Sequence, residues 1–232
     1  MTIKQEVPQS SPPVCPVGET DCPIVIEVAG LHQKVTDLYD LVRTDTLTNI
    51  ANYRYFVQAL EQEIERTQRS VQPTSLIMLD IDFFKKVNDQ WGHEVGNQAL
   101  IHLSRLLQQT VRKLDIPCRY GGEEFAIILP DTTLAASIPV AERIRQEIEK
   151  SPLIVAQKSL HITVSLGITT YTDKQRTTVE ELVKQADQYL YQAKETGRNR
   201  VCHAELPDID IVTMEEKQAL SQLFGSGTTK KD

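Results

Sequence analysis

RYGGEEFAIILP, residues 119–130, places an apolar run, Phe125 to Leu129, directly after two glycines and two adjacent carboxylates. The apolar run predicts a buried strand, and Gly121-Gly122 ahead of it predicts a hairpin turn. Glu123 and Glu124 then stand together at the edge of a core. Two readings fit that position. Either the glutamates face water on an ordinary turn, or they form a rigid platform of hard oxygen donors for a divalent cation.

Upstream, SLIMLDID (75–82) predicts a strand with its charges gathered at the carboxyl end. Asp80 can emerge there from a sheet into a cleft. Asp80, the Ile81 carbonyl and Glu123 would then offer oxygens from two separate strands. Magnesium favours such a partial shell, completed by water and substrate phosphates. A lone aspartate at a strand end is usually just solvated; one paired with a glycine-hairpin carboxylate points to the cation reading.

The elements around these strands follow from periodicity. Phe56, Leu60 and Ile64 give one face of a helix that follows RTDTLTN (43–49) and runs to about Arg69. NQALIHLSRLLQQTVRKL (97–114) is amphipathic through Leu100, Leu103, Leu107, Val111 and Leu114. AERIRQEIEK (141–150) reads as a helix and HITVSLGITTY (161–171) as a strand. TVEELVKQADQYLYQAKETG (178–197) reads as a helix that Gly197 can terminate, with RNRVC (198–202) as a last strand. This order predicts an α+β fold, with an antiparallel or mixed sheet and its helices on one side.

The ends differ in composition. Residues 1–23 hold Pro8, Pro12, Pro13, Pro16 and Pro23 of the eleven prolines, and read as a flexible arm. In 24–44, Val28, Leu31, Val35, Leu38 and Val42 repeat at three and four. That seam fits a helix pairing with a second copy of itself, or one amphipathic helix packed on its own domain. Residues 45–203 form the main domain. In the extension 204–232, Thr213 and Glu216 have capping-box spacing, and Leu220, Leu223 and Phe224 share a face.

The 232 residues are 40% hydrophobic and 25% charged with net charge −7, so bulk nucleic-acid binding is not expected. No apolar run approaches the roughly 18–20 residues that cross a bilayer, and MTIKQEVPQS lacks a signal-peptide core; a cytoplasmic location is expected. Four cysteines are too few for a disulfide scaffold. Cys118 and Cys202 read as core fillers, whereas Cys15 and Cys22 lie in the arm.

Together, DTLTNIANYRYF (45–56), DIDFFKKVNDQWGHEVGN (80–97), RYGGEEF (119–125) and AKETGRNR (193–200) resemble the GGDEF-domain family, the diguanylate cyclases. The match covers about two thirds of the chain, in four motifs in order. The resemblance implies a mixed sheet like the palm of nucleotidyl cyclases and polymerases, flanked by helices and preceded here by a dimerisation helix. It implies condensation of two GTP into cyclic di-GMP with release of pyrophosphate, each GTP on one protomer of a homodimer. Magnesium or manganese, two ions per site, would be held by Asp80, the Ile81 carbonyl, Glu123 and Glu124. Glu124 would coordinate metal or accept the hydroxyl proton. Lys85, the Phe83 and Phe84 backbone, Lys194 and Arg198 would hold phosphates. Asn88 would read guanine, and His93 is either a contact or structural. Arg112 and Asp115 match the family's RxxD inhibitory site for the product, and Arg143 matches a second arginine that contacts product in relatives.

The chain departs from that pattern at three places. Asn97 stands where the family usually has Asp, so one acceptor oxygen replaces a carboxylate before guanine N1–H and N2–H. Weaker GTP binding, or relaxed discrimination against ATP, would follow, at about 1–3 kcal/mol. Asn49-Ile50 and Tyr53 also differ, and concern the entry helix. Two rival readings stand beside the cyclase. One is a promiscuous enzyme that joins GMP to AMP; the other is a module that binds cyclic di-GMP without making it.

Overall fold

The segment Leu76–Leu79, apolar at every position, becomes the middle of a central strand. The computed structural model describes residues 23–172 and 176–206; within its first helix the side chains of 32, 33 and 35–42 are not among them. The elements run α1 (Pro23–Arg43), α2 (Tyr53–Ser70), β1 (Thr74–Ile81), α3 (Phe84–Trp91), α4 (His93–Thr110), β2 (Ile116–Gly121) and β3 (Glu124–Leu129). They continue α5 (Leu134–Lys150), β4 (Leu153–Val155), β5 (Lys158–Leu160), β6 (Val164–Tyr171), α6 (Val179–Glu195) and β7 (Val201–His203). The main sheet has the order β2-β3-β1-β6-β7, and β4-β5 is a separate hairpin. β1 is antiparallel to both β3 and β6, while β7 runs parallel to β6, so the sheet is mixed.

The helices cover both faces of this sheet, not one. β1 is buried at all eight positions. Ile77, Leu79 and Ile81 enter one core with α3, α4 and α5, while Leu76 and Met78 enter a second core with α2 and α6. Side chains alternate across a strand, so a strand without polar alternation needs cover on both sides. The helix order alone does not carry that information; the composition of β1 does.

Helix ends follow local chemistry. Asn52 caps α2 by accepting the Tyr55 N–H at 3.0 Å. Thr178 and Glu181 close a reciprocal capping box at the start of α6. Gly92, at φ +84°, breaks what would be one long helix into α3 and α4. The short helix α3 and the β4-β5 hairpin have no counterpart in the periodicity reading, and α4 stops at Thr110, leaving Leu114 exposed. α6 ends as expected, with Gly197 at φ +122° and the Arg198 N–H on the Ala193 carbonyl at 2.9 Å.

The helix expected over 24–44 is present as α1, with Leu31 exposed and Val28 half-buried. The side chains of Val35, Leu38 and Val42 lie outside the described residues, as do Cys15, Cys22 and the 213–224 segment. Cys118 is buried on β2, where burial pushes its thiol up to about 12, and Cys202 is half-buried on β7. Among the described residues no helix is long and apolar enough to cross a membrane.

Candidate active site

The end of the sheet where β1 finishes carries the charge. Gly121 pairs with Glu124, so β2 and β3 are joined by a two-residue turn, Gly122-Glu123, with Gly122 at φ +37°. Asp80 on β1 lies opposite Glu124 on β3 in register. Three carboxylates, Asp80, Glu123 and Glu124, therefore meet at one edge. The Lys194 ammonium, from the last turn of α6, lies 2.9 Å from Asp80 Oδ2.

These carboxylates ionise reluctantly. Burial, chiefly, raises the Asp80 carboxyl above its ordinary range and the charge of Asp82 adds to it, while Lys194 and Arg198 oppose the rise. Glu123 is raised first by burial and then by the charges of Asp80 and Glu124, against Lys194. Glu124 is raised by burial, then by Asp80 and by Asp187 of α6. Partial burial plus like charge disfavours the ionised form, and a cation among them reverses that. Among the described residues no three His, Cys, Asp or Glu side chains close a metal cage by themselves. The donor set fits a partial shell of carboxylate and carbonyl oxygens, the kind magnesium accepts.

The hairpin tip is tied to the entry segment by a residue that the sequence reading passed over. Arg119 donates to the Gly122 carbonyl at 2.8 and 3.1 Å and to both Asp45 oxygens at 3.0 and 3.2 Å. Asp45 in turn accepts from the Thr48 N–H and hydroxyl, and sits below its ordinary range because these hydrogen bonds and Arg119 outweigh its burial. Both residues lie inside matched motifs, DTLTN and RYGGEEF; what the sequence lacked was any sign that they meet.

Beside the carboxylates, Phe83 takes a left-handed conformation, φ +56°, and caps α3 without a side-chain hydrogen bond. Its ring is exposed, with the Arg198 guanidinium carbon 4.5 Å and the Lys86 amine 4.4 Å from its centroid. Lys85 is exposed on the first turn of α3. The first N–H groups of a helix have no intrahelical acceptor, so this terminus faces the cleft as a donor for anions. Phe84 itself is buried, leaving only its backbone for such a role.

Asn88 on α3 and Asn97 on α4 are both half-buried, and His93 is exposed at the start of α4. The Asn88 side chain packs against Gly96 with its Oδ1 foremost, in the space that a Cβ would occupy. Gly96 therefore gives Asn88 its place, a requirement invisible to motif reading.

The Arg112, Asp115 and Arg143 group also comes together. The Arg112 N–H donates to Asp115 Oδ2 at 2.7 Å, closing the turn between α4 and β2. Arg143 of α5 reaches the Thr110 carbonyl at 3.0 Å. Burial raises the Asp115 carboxyl, and both arginines pull it back. A separate groove of about 700 Å³ runs between α2 and α6, lined by Tyr53, Phe56, Tyr120, Val183, Asp187 and Tyr191. It holds none of Asp80, Glu123 and Glu124, and reaches their charge through Asp187 and Tyr120, both of which feel Glu124.

Known proteins match this architecture. The family described as "Diguanylate cyclase, GGDEF domain" matches residues 42–200. The response regulator PleD of Caulobacter vibrioides is 44% identical over 173 residues, 74% of this chain and 38% of that protein. Diguanylate cyclase A of Treponema denticola is 32% identical over 180 residues, 76% of this chain and 48% of that protein. The chain spans less than half the length of these two curated relatives. Among solved structures, the coiled coil and GGDEF domain of DgcB from Caulobacter crescentus, in complex with c-di-GMP, gives a TM-score of 0.73. It is 30% identical, and the match covers 78% of this chain and 95% of that one.

Proposed function

The chain belongs to the GGDEF-domain family, and from that premise we propose that it is a diguanylate cyclase. It joins two GTP molecules in two equivalent steps. In each, the 3′-oxygen of one nucleotide bonds to the α-phosphorus of the other, the bond to the β-phosphate breaks, and pyrophosphate leaves. The observation that carries this reading is the convergence of Asp80, Glu123 and Glu124, each with a raised carboxyl pKa, beside Lys194, Arg198 and the open start of α3.

Asp80, the Ile81 carbonyl and Glu123, with Glu124, would hold divalent cations, magnesium or manganese, two to a site. Bound there, such ions lower the pKa of a hydroxyl nucleophile and neutralise triphosphate charge. The remaining work falls to this chain's own groups. Lys85, Lys194, Arg198 and the N–H groups of Phe83 and Phe84 bind phosphate oxygens, where delocalised charge suits ammonium and guanidinium donors. Asn88 and Asn97 face the base, with His93 beside them. Glu124 completes the metal shell or takes the hydroxyl proton.

Two protomers face each other through α1 to bring two GTP together, and residues 45–203 form the catalytic unit. The product inhibits through Arg112, Asp115 and Arg143. The reaction belongs to the cytoplasm, where GTP is available. A second reading, formation of a mixed GMP–AMP dinucleotide, is favoured by Asn97 alone, whose amide offers one acceptor oxygen in place of two.

The test is incubation of the purified chain with magnesium and GTP, ATP or both, with products identified by mass. GTP alone is expected to yield cyclic di-GMP, and added cyclic di-GMP to slow the reaction. A mixed dinucleotide from the combined nucleotides would establish the second reading. No cyclic product in any tube would exclude the enzyme and leave a binding module.

A further inference from the structure

Asp82 is buried, yet no lysine or arginine salt-bridges it among the described residues. Its carboxylate instead accepts three hydrogen bonds from two distant segments. Thr163 Oγ1 lies 2.7 Å from Oδ2, Ser165 Oγ lies 2.7 Å from Oδ1, and the Asn199 backbone N–H lies 3.0 Å from Oδ2. The Asp82 N–H adds a bond to the Thr163 carbonyl at 2.9 Å. One side chain thus ties the end of β1 to the entry of β6 and to the loop between α6 and β7.

That loop is in a conformation it does not favour alone. Arg198 and Asn199 are consecutive non-glycine residues with φ of +61° and +45°. Left-handed backbone is uphill for side-chain-bearing residues and persists only where the surroundings hold it. Asn199 is held from two directions. Its N–H goes to Asp82; its side chain donates to Glu149 Oε1 at 2.7 Å and accepts from Arg145 at 3.0 Å. Arg198, one residue earlier, is thereby set over the Phe83 ring, which follows Asp82 directly.

We infer that Asp82 is a positioning residue, which fixes the Arg198 guanidinium against Phe83 at the phosphate end of the cleft. The inference rests on the reading of that cleft as a nucleoside triphosphate site. Asp82 touches no substrate in this scheme; it acts through Asn199 on Arg198. Loss of its acceptor frees the Asn199 N–H and lets the loop relax toward ordinary φ values, which takes Arg198 away from the triphosphate. An amide at the same place still offers one oxygen to the Asn199 N–H, while the Ser165 hydroxyl can turn to accept from its NH2. Asparagine should therefore rescue most of what alanine loses.

The experiment uses the full chain and two readouts: equilibrium binding of a non-hydrolysable GTP analogue with magnesium, and initial rates with GTP. Asp82→Ala is expected to weaken analogue binding and raise KM about tenfold, equivalent to about 1.4 kcal/mol, with kcat changed far less. Asp82→Asn should weaken binding only about threefold. In an Arg198→Ala background neither change should weaken binding further, since groups acting through one another are not additive. If Asp82→Ala does not fold, Asp82→Asn with and without Arg198→Ala decides the matter. Binding equal to the parent in Asp82→Asn and Asp82→Ala, or effects that multiply with Arg198→Ala, would overturn the role of Asp82 and leave the cyclase reading standing. A parent that neither binds the analogue nor forms product would overturn both.

Discussion

Asp80 and Asp82 are two residues apart at the end of one strand, and their surroundings could hardly differ more. Asp82, on the floor of the cleft, has three donors around it and joins three segments. Asp80, on the rim, has the Lys194 ammonium, but also stands against Glu123 and Glu124 with their charges raising one another. The floor is arranged for the stability of the fold. The rim is arranged against it, as a site for cations is before the cation arrives. Neighbouring residues of one type can thus serve opposite ends, and the hydrogen-bond donors around each tell them apart.

Removing a rim carboxylate should separate the two ends most sharply. Glu123→Gln is expected to lower turnover by at least about 1000-fold, since an amide neither neutralises nor orders a cation as a carboxylate does. The same change should raise the melting temperature in chelator at pH 7–8, on the order of 1–3 °C. A carboxyl whose folded pKa is raised stabilises the fold only while protonated, and that contribution is lost as pH rises through the folded value. The gain should therefore vanish below about pH 4, where the parent's glutamate is protonated folded or unfolded. Thermal melts across pH, beside a pyrophosphate-release assay, would measure both halves. An unchanged turnover would remove Glu123 from the chemistry.

A floor substitution should do the reverse to stability. Asp82→Ala leaves the Thr163 and Ser165 hydroxyls and the Asn199 N–H without their acceptor. At roughly 1–3 kcal/mol for each hydrogen bond to a charged group, a loss of about 3 kcal/mol is expected after partial relaxation. For a chain of this size that is a fall of about 6–12 °C in melting temperature. A melt within 2 °C of the parent, or so, would mean that floor and rim are not different in kind.

The smallest effect concerns the end of the cleft proposed to hold the base. Asn97→Asp restores a second acceptor before guanine, and should lower KM for GTP and sharpen the preference for GTP over ATP about tenfold, near 1.4 kcal/mol. Competition between the two nucleotides, read by product mass, measures it. Equal preference in parent and variant would show that Asn97 does not read the base, and the comparison would then rest on the phosphate end alone.

Much of this is legible in the sequence. The RYGGEEF turn, the strand ending at Asp80, the apolar faces of α2 and α4, and the helix α6 that Gly197 ends follow from local spacing and turn chemistry. The departures have separate causes. Helix order predicts cover on one side only, because it carries no information about the second face of β1. α3 was missed because Gly92 ends it after two turns, too short for a periodic signal.

The amino-acid sequence alone determined the family, the hairpin that presents Glu123 and Glu124, and which carboxylates and basic residues are proposed for metal and phosphate. Those properties reside in short windows, where dihedral preference and periodicity act between near neighbours. Only the tertiary structure decided which polar groups meet. Asp82 finds partners 81, 83 and 117 residues away, and Arg119 reaches Asp45 across 74. Lys194 comes to Asp80 only because α6 crosses the sheet to that end, and Asn88 keeps its place only because Gly96 of the next helix lacks a Cβ. Such meetings are set by strand register and helix packing, which sum over the whole core and leave no mark in any one stretch of chain.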